Sequence, residues 1–202
     1  MRISVVIPAH NEEALLPKAL QAVLAQTLPP FEVIVVDNAS TDRTREVAEG
    51  FGVRVVYCPR KGVAYARQAG LLAARGEWVA MTDADSIPLP TWLQTLARHG
   101  EGAVALYGPL RFYGVSPWTA WLSEWGYRAF LNLMAFFGKP NLAGANMMLL
   151  REAALGVGGF PEVEAREDVL LGWRLMRVGK VRYVPEALVL TSPRRLKGGW
   201  GR

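Results

Sequence analysis

Two aspartates one residue apart, Asp83 and Asp85, follow directly on the apolar run Trp78 to Thr82. Alternate residues of an extended chain share a face, so both carboxylates can turn toward one hard cation, or toward phosphates that such a cation carries. Read alone, the same Asp-x-Asp also fits a turn or a helix cap. A second acidic pair, Glu167-Asp168, opens an amphipathic segment through Val169, Leu170, Trp173, Leu175 and Met176. Carboxylates there sit near the positive end of a helix, so capping is the simplest role for both.

The elements that would position these groups follow one rhythm. Ile3 to Ile7 is a β-branched run ending at Pro8, and Asn11-Glu12-Glu13 opens a periodic segment carrying Leu15, Leu16, Leu20 and Leu24. Phe31 to Val36 is a continuous apolar run, as a parallel strand covered on both faces requires, and it delivers Asp37 through Asp42 to a polar helix starting at Arg43. Val53 to Tyr57 predicts a third strand, followed by Arg60-Lys61-Gly62 and a helix with Ala66, Ala69, Leu72 and Ala73. The run Trp78 to Thr82 is the fourth strand. Strand and helix alternating in this way predict an α/β fold: a doubly wound, mostly parallel sheet with helices on both faces and right-handed crossovers. Ligands of such sheets bind at the carboxyl ends of the strands, where Pro8-Ala9-His10, Asp37, Lys61 and Asp83/Asp85 fall.

Composition narrows the class further. At 202 residues, with 51% hydrophobic and 20% charged, the chain is expected to fold as one domain rather than remain disordered. The net charge of +5 points to an anionic partner, although part of the excess is local to Arg194, Arg195, Lys197 and Arg202. A single cysteine, Cys58, excludes an internal disulfide and a cysteine-built zinc cluster, and fits a reducing compartment. No signal peptide is expected, and Ala129 to Gly138 is too short to span a bilayer, so a cytoplasmic location follows. No Gly-x-Gly-x-x-Gly follows the first strand and no Gly-Lys-Ser/Thr loop is present, which argues against hydride transfer and P-loop hydrolysis.

The second half is less regular. Ala103 to Tyr107, Asn146 to Leu150, Val181 to Val184 and Leu188 to Leu190 read as strands, and Arg151 to Leu155 as a short helix. Between the first two, Trp118, Trp121, Leu122, Trp125, Ala129, Leu133, Phe136 and Phe137 recur at helical spacing. This stripe is expected to pack on the sheet. A peripheral membrane contact through 118–137, at the inner face of the cell membrane, is the alternative.

Taken in order, several pieces resemble the family 2 glycosyltransferases of the GT-A fold: Ser4 to Glu13, Glu32 to Asp42, Ala66-Arg67-Gln68-Ala69-Gly70, Thr82-Asp83-Ala84-Asp85, Gly159-Phe160 and Glu167-Asp168. The resemblance runs from Ile3 to about Arg177, and the stretch Gly108 to Leu142 matches nothing in it. It implies a nucleotide-sugar-binding half over about 1–105 and an acceptor-binding half over about 106–202. Pro8, Ala9, Glu12 and Asp37 would then meet the base and ribose of a UDP- or GDP-linked donor, with Arg67 and Lys61 near the base or diphosphate. Asp83 would face the ribose or the metal, and Asp85 would ligate Mn²⁺ or Mg²⁺ on the diphosphate. The resemblance further implies inversion at the anomeric carbon, with Asp168 as general base and Glu167 as the alternative.

The Gln-x-x-Arg-Trp motif of processive synthases is absent, so transfer of single sugars is expected. Arg194 and Arg195 would either clamp the diphosphate or belong to a solvated tail. The acceptor stays open, and a lipid-linked one would suit a membrane contact. Nucleic acid is not an expected partner, because basic and aromatic residues are not interleaved as in a nucleic-acid module. Two other classes remain as alternatives, a nucleotidyltransferase acting on sugar phosphates and a non-catalytic nucleotide-sugar-binding module.

Overall fold

The structure, a computed structural model, describes residues 1–194. Its main sheet has seven strands, built first from β1 (Ile3–Ala9), β2 (Glu32–Asp37), β3 (Arg54–Tyr57) and β4 (Trp78–Met81). These four pair in parallel, with β1 between β2 and β4 and β3 outside β2. Every residue of β1 and β4 is buried, so the unbroken Val/Ile runs mark strands covered on both faces rather than half-exposed ones. The helices α1 (Leu16–Leu24), α2 (Thr44–Gly50) and α3 (Val63–Ala73) connect them. Close packing of α3 on β1 requires glycine at position 70, where a Cβ would lie 2.3 Å from Val6 Cγ1.

The second half extends the sheet with a change of direction. β6 (Ala103–Tyr107), β8 (Met147–Leu150) and β9 (Lys180–Tyr183) complete the order β3-β2-β1-β4-β8-β6-β9. Here β8 runs antiparallel to both its neighbours, while β6 and β9 are parallel. Three short strands, β5 (Ser86–Pro88), β7 (Leu110–Phe112) and β10 (Val189–Thr191), form a separate small sheet. Two apolar clusters line the two faces of the main sheet. One gathers Leu16, Leu20 and Ala48 with Trp92 and Leu96 of α4 (Trp92–Arg98). The other gathers Ala66 and Leu71 with Ala154 of α6 (Arg151–Gly156) and Leu171 and Leu175 of α7 (Glu167–Leu175). The fold is therefore the doubly wound, mostly parallel α/β arrangement that the sequence predicts.

Asn146 locks the halves together from the inside. Its amide donates to Pro109 O at 2.8 Å and Ala187 O at 2.6 Å, and its oxygen accepts from Trp92 Nε1 at 2.8 Å.

The aromatic stripe is the main departure from expectation. Its helix forms as the spacing predicts, as α5 (Pro117–Phe136), but it does not bury the stripe. Only Ala120 and Leu131 of this helix are buried, whereas Trp118 is 69% and Phe136 83% exposed. The inner face is instead the narrow, mixed row Ala120, Ser123, Glu124, Tyr127, Arg128 and Leu131. Ser123 Oγ accepts the Phe112 N–H at 3.1 Å, and Arg128 Nη1 donates to Pro185 O at 2.7 Å. With that row turned inward, the large aromatics take the positions left over. Among the described residues, no helix is long and apolar enough to cross a membrane.

Candidate active site

Segments at the carboxyl rim of β1, β2, β3 and β4 enclose a cleft of about 470 Å³. Pro8, Ala9, His10 and Glu12 come from the first loop, Lys61 and Gly62 from the start of α3, and Asp83 and Asp85 from the fourth strand end. Asn38 holds the rim in shape: Nδ2 donates to Arg60 O at 2.7 Å and Oδ1 accepts the Gly62 N–H at 2.8 Å. Among the described residues the non-glycines at positive φ are Asn11 (54°), Ala39 (54°) and Arg166 (64°), and all three lie in loops of this rim or at the entry to α7. Such backbone costs about 1 kcal/mol or more for a residue with a Cβ, and it concentrates where side chains must be aimed.

Arg194 reaches the cleft because β10 returns beside β5. Ser192 N–H donates to Asp85 O at 3.2 Å, and two residues later Arg194 Nε donates to Asp85 Oδ2 at 2.8 Å while its Nη2 pairs with Glu12. Burial pulls the Arg194 pKa down, but the Glu12 and Asp85 carboxylates outweigh it and the net shift is upward. Tyr113 OH also donates to Asp85 O, at 3.2 Å. Arg195, the other half of the predicted basic pair, lies outside the described residues.

Arg67 does not line this cleft. Its guanidinium is buried beneath it, 2.9 Å from Asp83 Oδ1, paired with Glu167, and 3.9 Å from Asp168 Oδ2. Burial lowers the pKa of this arginine, yet the charges of Asp83, Glu167 and Asp168 raise it overall, so it stays cationic. Burial raises the Glu167 carboxyl above its ordinary 4.5; Arg67 opposes that shift and Asp168 adds to it. The arginine expected at the base or diphosphate is thus a buried tie between two carboxylate-bearing segments. Asp37 is likewise absent from the cleft lining: it is buried, and its Oδ1 accepts the Ser40 N–H at 3.0 Å within the turn after β2.

Glu167 and Asp168 do not act as a simple cap pair. Arg166, in the left-handed conformation, is the residue before α7, and its side chain does not cap that helix. Asp168 Oδ1 accepts the Val169 N–H at 2.8 Å, while Oδ2 reaches across to the Gly144 N–H at 2.7 Å. Gly144 has to be glycine, since a Cβ there would come within 1.9 Å of the Arg67 guanidinium carbon. Nothing in a single sequence distinguishes Gly144 or Asn38 from other loop residues.

The cavities around these groups form a chain through shared walls. The cleft shares Val63 and Asp83 with a cavity of about 350 Å³. That cavity shares Ala143, Arg166 and Asp168 with an apolar one of about 720 Å³, bordered by Tyr127, Phe130 and Trp173. Asp168 therefore stands between the middle cavity, which adjoins the cleft, and the apolar one.

The residues fit a divalent cation held partly by substrate. Asp83 and Asp85 present carboxylate oxygens at the cleft, and among the described residues no group of three or more His, Cys, Asp or Glu could hold an ion unaided. Mg²⁺-type ions are commonly bound by one or two carboxylates together with substrate phosphates, which this donor set permits.

A doubly wound sheet that carries Asp-x-Asp at the end of its central strand, beside a nucleotide-sized cleft, defines a GT-A glycosyltransferase. Residues 4–157 match the model of glycosyl transferase family 2, and the chain belongs to that family. An uncharacterized glycosyltransferase of Mycobacterium tuberculosis is 46% identical over 196 residues, covering 91% of this chain and 85% of that protein. Several other curated relatives are longer, and the chain spans between 30% and 56% of the length of five of them. Among solved structures, glucosyl-3-phosphoglycerate synthase of Mycobacterium tuberculosis, in complex with Mn²⁺, UDP and glucosyl-3-phosphoglycerate, superposes with a TM-score of 0.71. It is 27% identical, and the match covers 97% of this chain and 74% of that one. The mannosyltransferase PcManGT of Pyrobaculum calidifontis, in complex with GDP-Man and Mn²⁺, shares the fold with a TM-score of 0.75 at 24% identity, covering 95% and 56% of the two chains.

Proposed function

We propose that the enzyme moves one sugar at a time from a UDP- or GDP-linked donor to an acceptor hydroxyl, with inversion at the anomeric carbon and with Asp168 as general base. The observation that carries this reading is the position of Asp168, in the wall that the apolar cavity shares with the smaller cavity adjoining the cleft. The nucleotide lies over Pro8 and Ala9, with Glu12 and Lys61 at its sides. Asp83 and Asp85 hold Mn²⁺ or Mg²⁺, which when bound neutralises the charge growing on the departing diphosphate. Arg194 contributes positive charge at the same edge of the cleft. On the opposite side, Asp168 takes the proton of the attacking hydroxyl. Residues 1–105 then form the donor half and 106–202 the acceptor half of one transferase domain, consistent with the split between the cavities. Contact with the inner face of the cell membrane through 118–137 is part of the same proposal.

Glu167 is the poorer base, because Arg67 ties its carboxylate into a buried ion pair. Asp168 keeps a wall of the cavity that an acceptor would enter. General-base removal lowers turnover by about 10²–10⁴-fold. Asp168→Asn is therefore expected to reduce transfer by that factor while leaving intact the thermal stabilisation by UDP- or GDP-sugars with Mn²⁺. Transfer by Asp168→Asn at the wild-type rate would exclude the role.

A further inference from the structure

The outer face of α5 is unusual in what it lacks. Between Pro117 and Gly138 the charged residues are Glu124 and Arg128 alone, and both lie on the inner face, bonded to one another at 2.9 Å. What faces outward along about 30 Å of helix is uncharged and mostly apolar: Trp118, Trp121, Leu122, Trp125, Leu133 and Phe136 are exposed, with Thr119 and Asn132 the polar exceptions. The tryptophans form a stack at one end, with Trp118 and Trp121 ring centroids 5.1 Å apart and Trp121 and Trp125 6.4 Å apart. A water-facing surface seldom carries a contiguous apolar patch of this extent without a binding role.

Two further observations say what covers it. Past the C-terminal end of α5, Lys139 and Arg177 border a pocket with Trp173 and Met176, and no acidic residue lines it. Lys139 and Trp173 also line the apolar cavity that ends at Asp168, together with Tyr127, Phe130 and Met134 of α5 itself. An uncharged aromatic face next to cations suits a bilayer interface with anionic headgroups, where tryptophan rings settle and basic side chains meet phosphate. The cavity leads from that face to the proposed base.

We propose that α5 seats the enzyme on an anionic lipid surface, and that its acceptor is an amphiphile whose apolar part enters the cavity of Tyr127, Phe130 and Trp173 to bring its hydroxyl to Asp168. This rests on Asp168 being the acceptor-side base. A purely carbohydrate acceptor would also stack on these rings, but it would leave Leu122, Leu133 and Phe136 outside the cavity without a use.

The test uses the full chain. Flotation is measured with vesicles of phosphatidylcholine alone and of phosphatidylcholine mixed with phosphatidylglycerol. Wild-type protein is expected to float with the mixed vesicles. The triple variant Trp121→Ser, Leu133→Ser, Phe136→Ser, altered only at exposed positions, is expected to stay in the soluble fraction. Lys139→Glu with Arg177→Glu is expected to reduce binding to the anionic vesicles by at least about thirtyfold. For the cavity, octyl glucoside below its micelle concentration is expected to raise the thermal midpoint and methyl glucoside to leave it unchanged, with Met134→Gln abolishing the difference. Absence of wild-type flotation, equal effects of the two glucosides, or a dimer that the triple variant dissociates would each overturn the proposal. Stabilisation by donor and Mn²⁺ is read on the same samples, so failure of the transfer reading registers there, separately from flotation.

Discussion

Replacing Arg67 by leucine should be among the most damaging single changes in the chain, and the structure sets its size. The Arg67 and Glu167 side chains are each only 4% exposed, so the ion pair is shielded from water. Removing one partner of a buried pair leaves the other charge uncompensated and costs about 3–5 kcal/mol. At about 2–4 °C per kcal/mol for a chain of this size, the midpoint should fall by roughly 6–20 °C. If the loss comes from the stranded charge rather than from packing, neutralising Glu167 should return part of it. Arg67→Leu with Glu167→Gln is therefore expected to be more stable than Arg67→Leu alone, with a coupling of about 0.5–3 kcal/mol. Urea unfolding of wild type, both single variants and the double variant measures this cycle. A single variant within about 1 kcal/mol of wild type, or additive effects in the double, would refute the argument.

Other perturbations probe the same region. Gly144→Ala pushes a Cβ into the Arg67 guanidinium and disturbs the N–H that holds Asp168, so a loss of about 1–3 kcal/mol and a fall in turnover are expected from unfolding and rate measurements. Arg194→Ala should leave stability within about 1 kcal/mol, because that side chain is 40% exposed, but should raise the KM for donor more than it lowers kcat. In acid, Glu32 and Asp42 should both weaken the fold. Burial pushes each carboxyl up, but Ser4 and the Arg75 N–H on Glu32, and Thr44 and the Glu13 N–H on Asp42, outweigh it, so both pKa values lie below their ordinary 4.5 and 3.8. Their contribution is present above the unfolded values and is lost as pH falls through the lower folded ones. Urea midpoints measured from pH 6 to about pH 2.5 should decline at the acid end, and less steeply in Glu32→Gln.

The parts legible in the sequence are those where one local pattern has one structural solution. Val/Ile runs such as Ser4 to Ile7 and Val33 to Val36 can hardly be anything but strands covered on both faces, and they end in loops that must share a rim. Pro8, Glu12, Lys61, Asp83 and Asp85 accordingly meet around one cleft. Periodicity also revealed α5, but it cannot report which environment lies on the aromatic side. That is decided by the inner row from Ala120 to Leu131, whose Ser123 and Arg128 find backbone partners on β7 and on the loop at Pro185. Of the three-residue strands of the small sheet, the reading of Leu188 to Leu190 matches β10, whereas β5 and β7 are too short for a period to register. Arg67 escaped for a different reason: an arginine on a helix near a ligand rim reads as an anion binder until its partners, 16 and 100 residues away, are known.

Adjacent positions 167 and 168 show how environment separates two similar groups. On a helix, neighbouring residues point about 100° apart, so the two carboxylates, although both border the same small cavity and face Arg67, differ in their other partners. The left-handed turn at Arg166 fixes which goes where: Glu167 goes inward against Arg67, and Asp168 goes toward Gly144 and the cavity wall. The inward carboxylate is spent on structure. Through Arg67 it also joins α7 to Asp83 at the end of the fourth strand, so the segment bearing the proposed base and the segment bearing the proposed metal ligands are braced by one guanidinium. A base must meet its hydroxyl at a set distance from the departing diphosphate, and a change of 1 Å is enough to lose much of the rate. The buried tie joins the two segments whose separation this is.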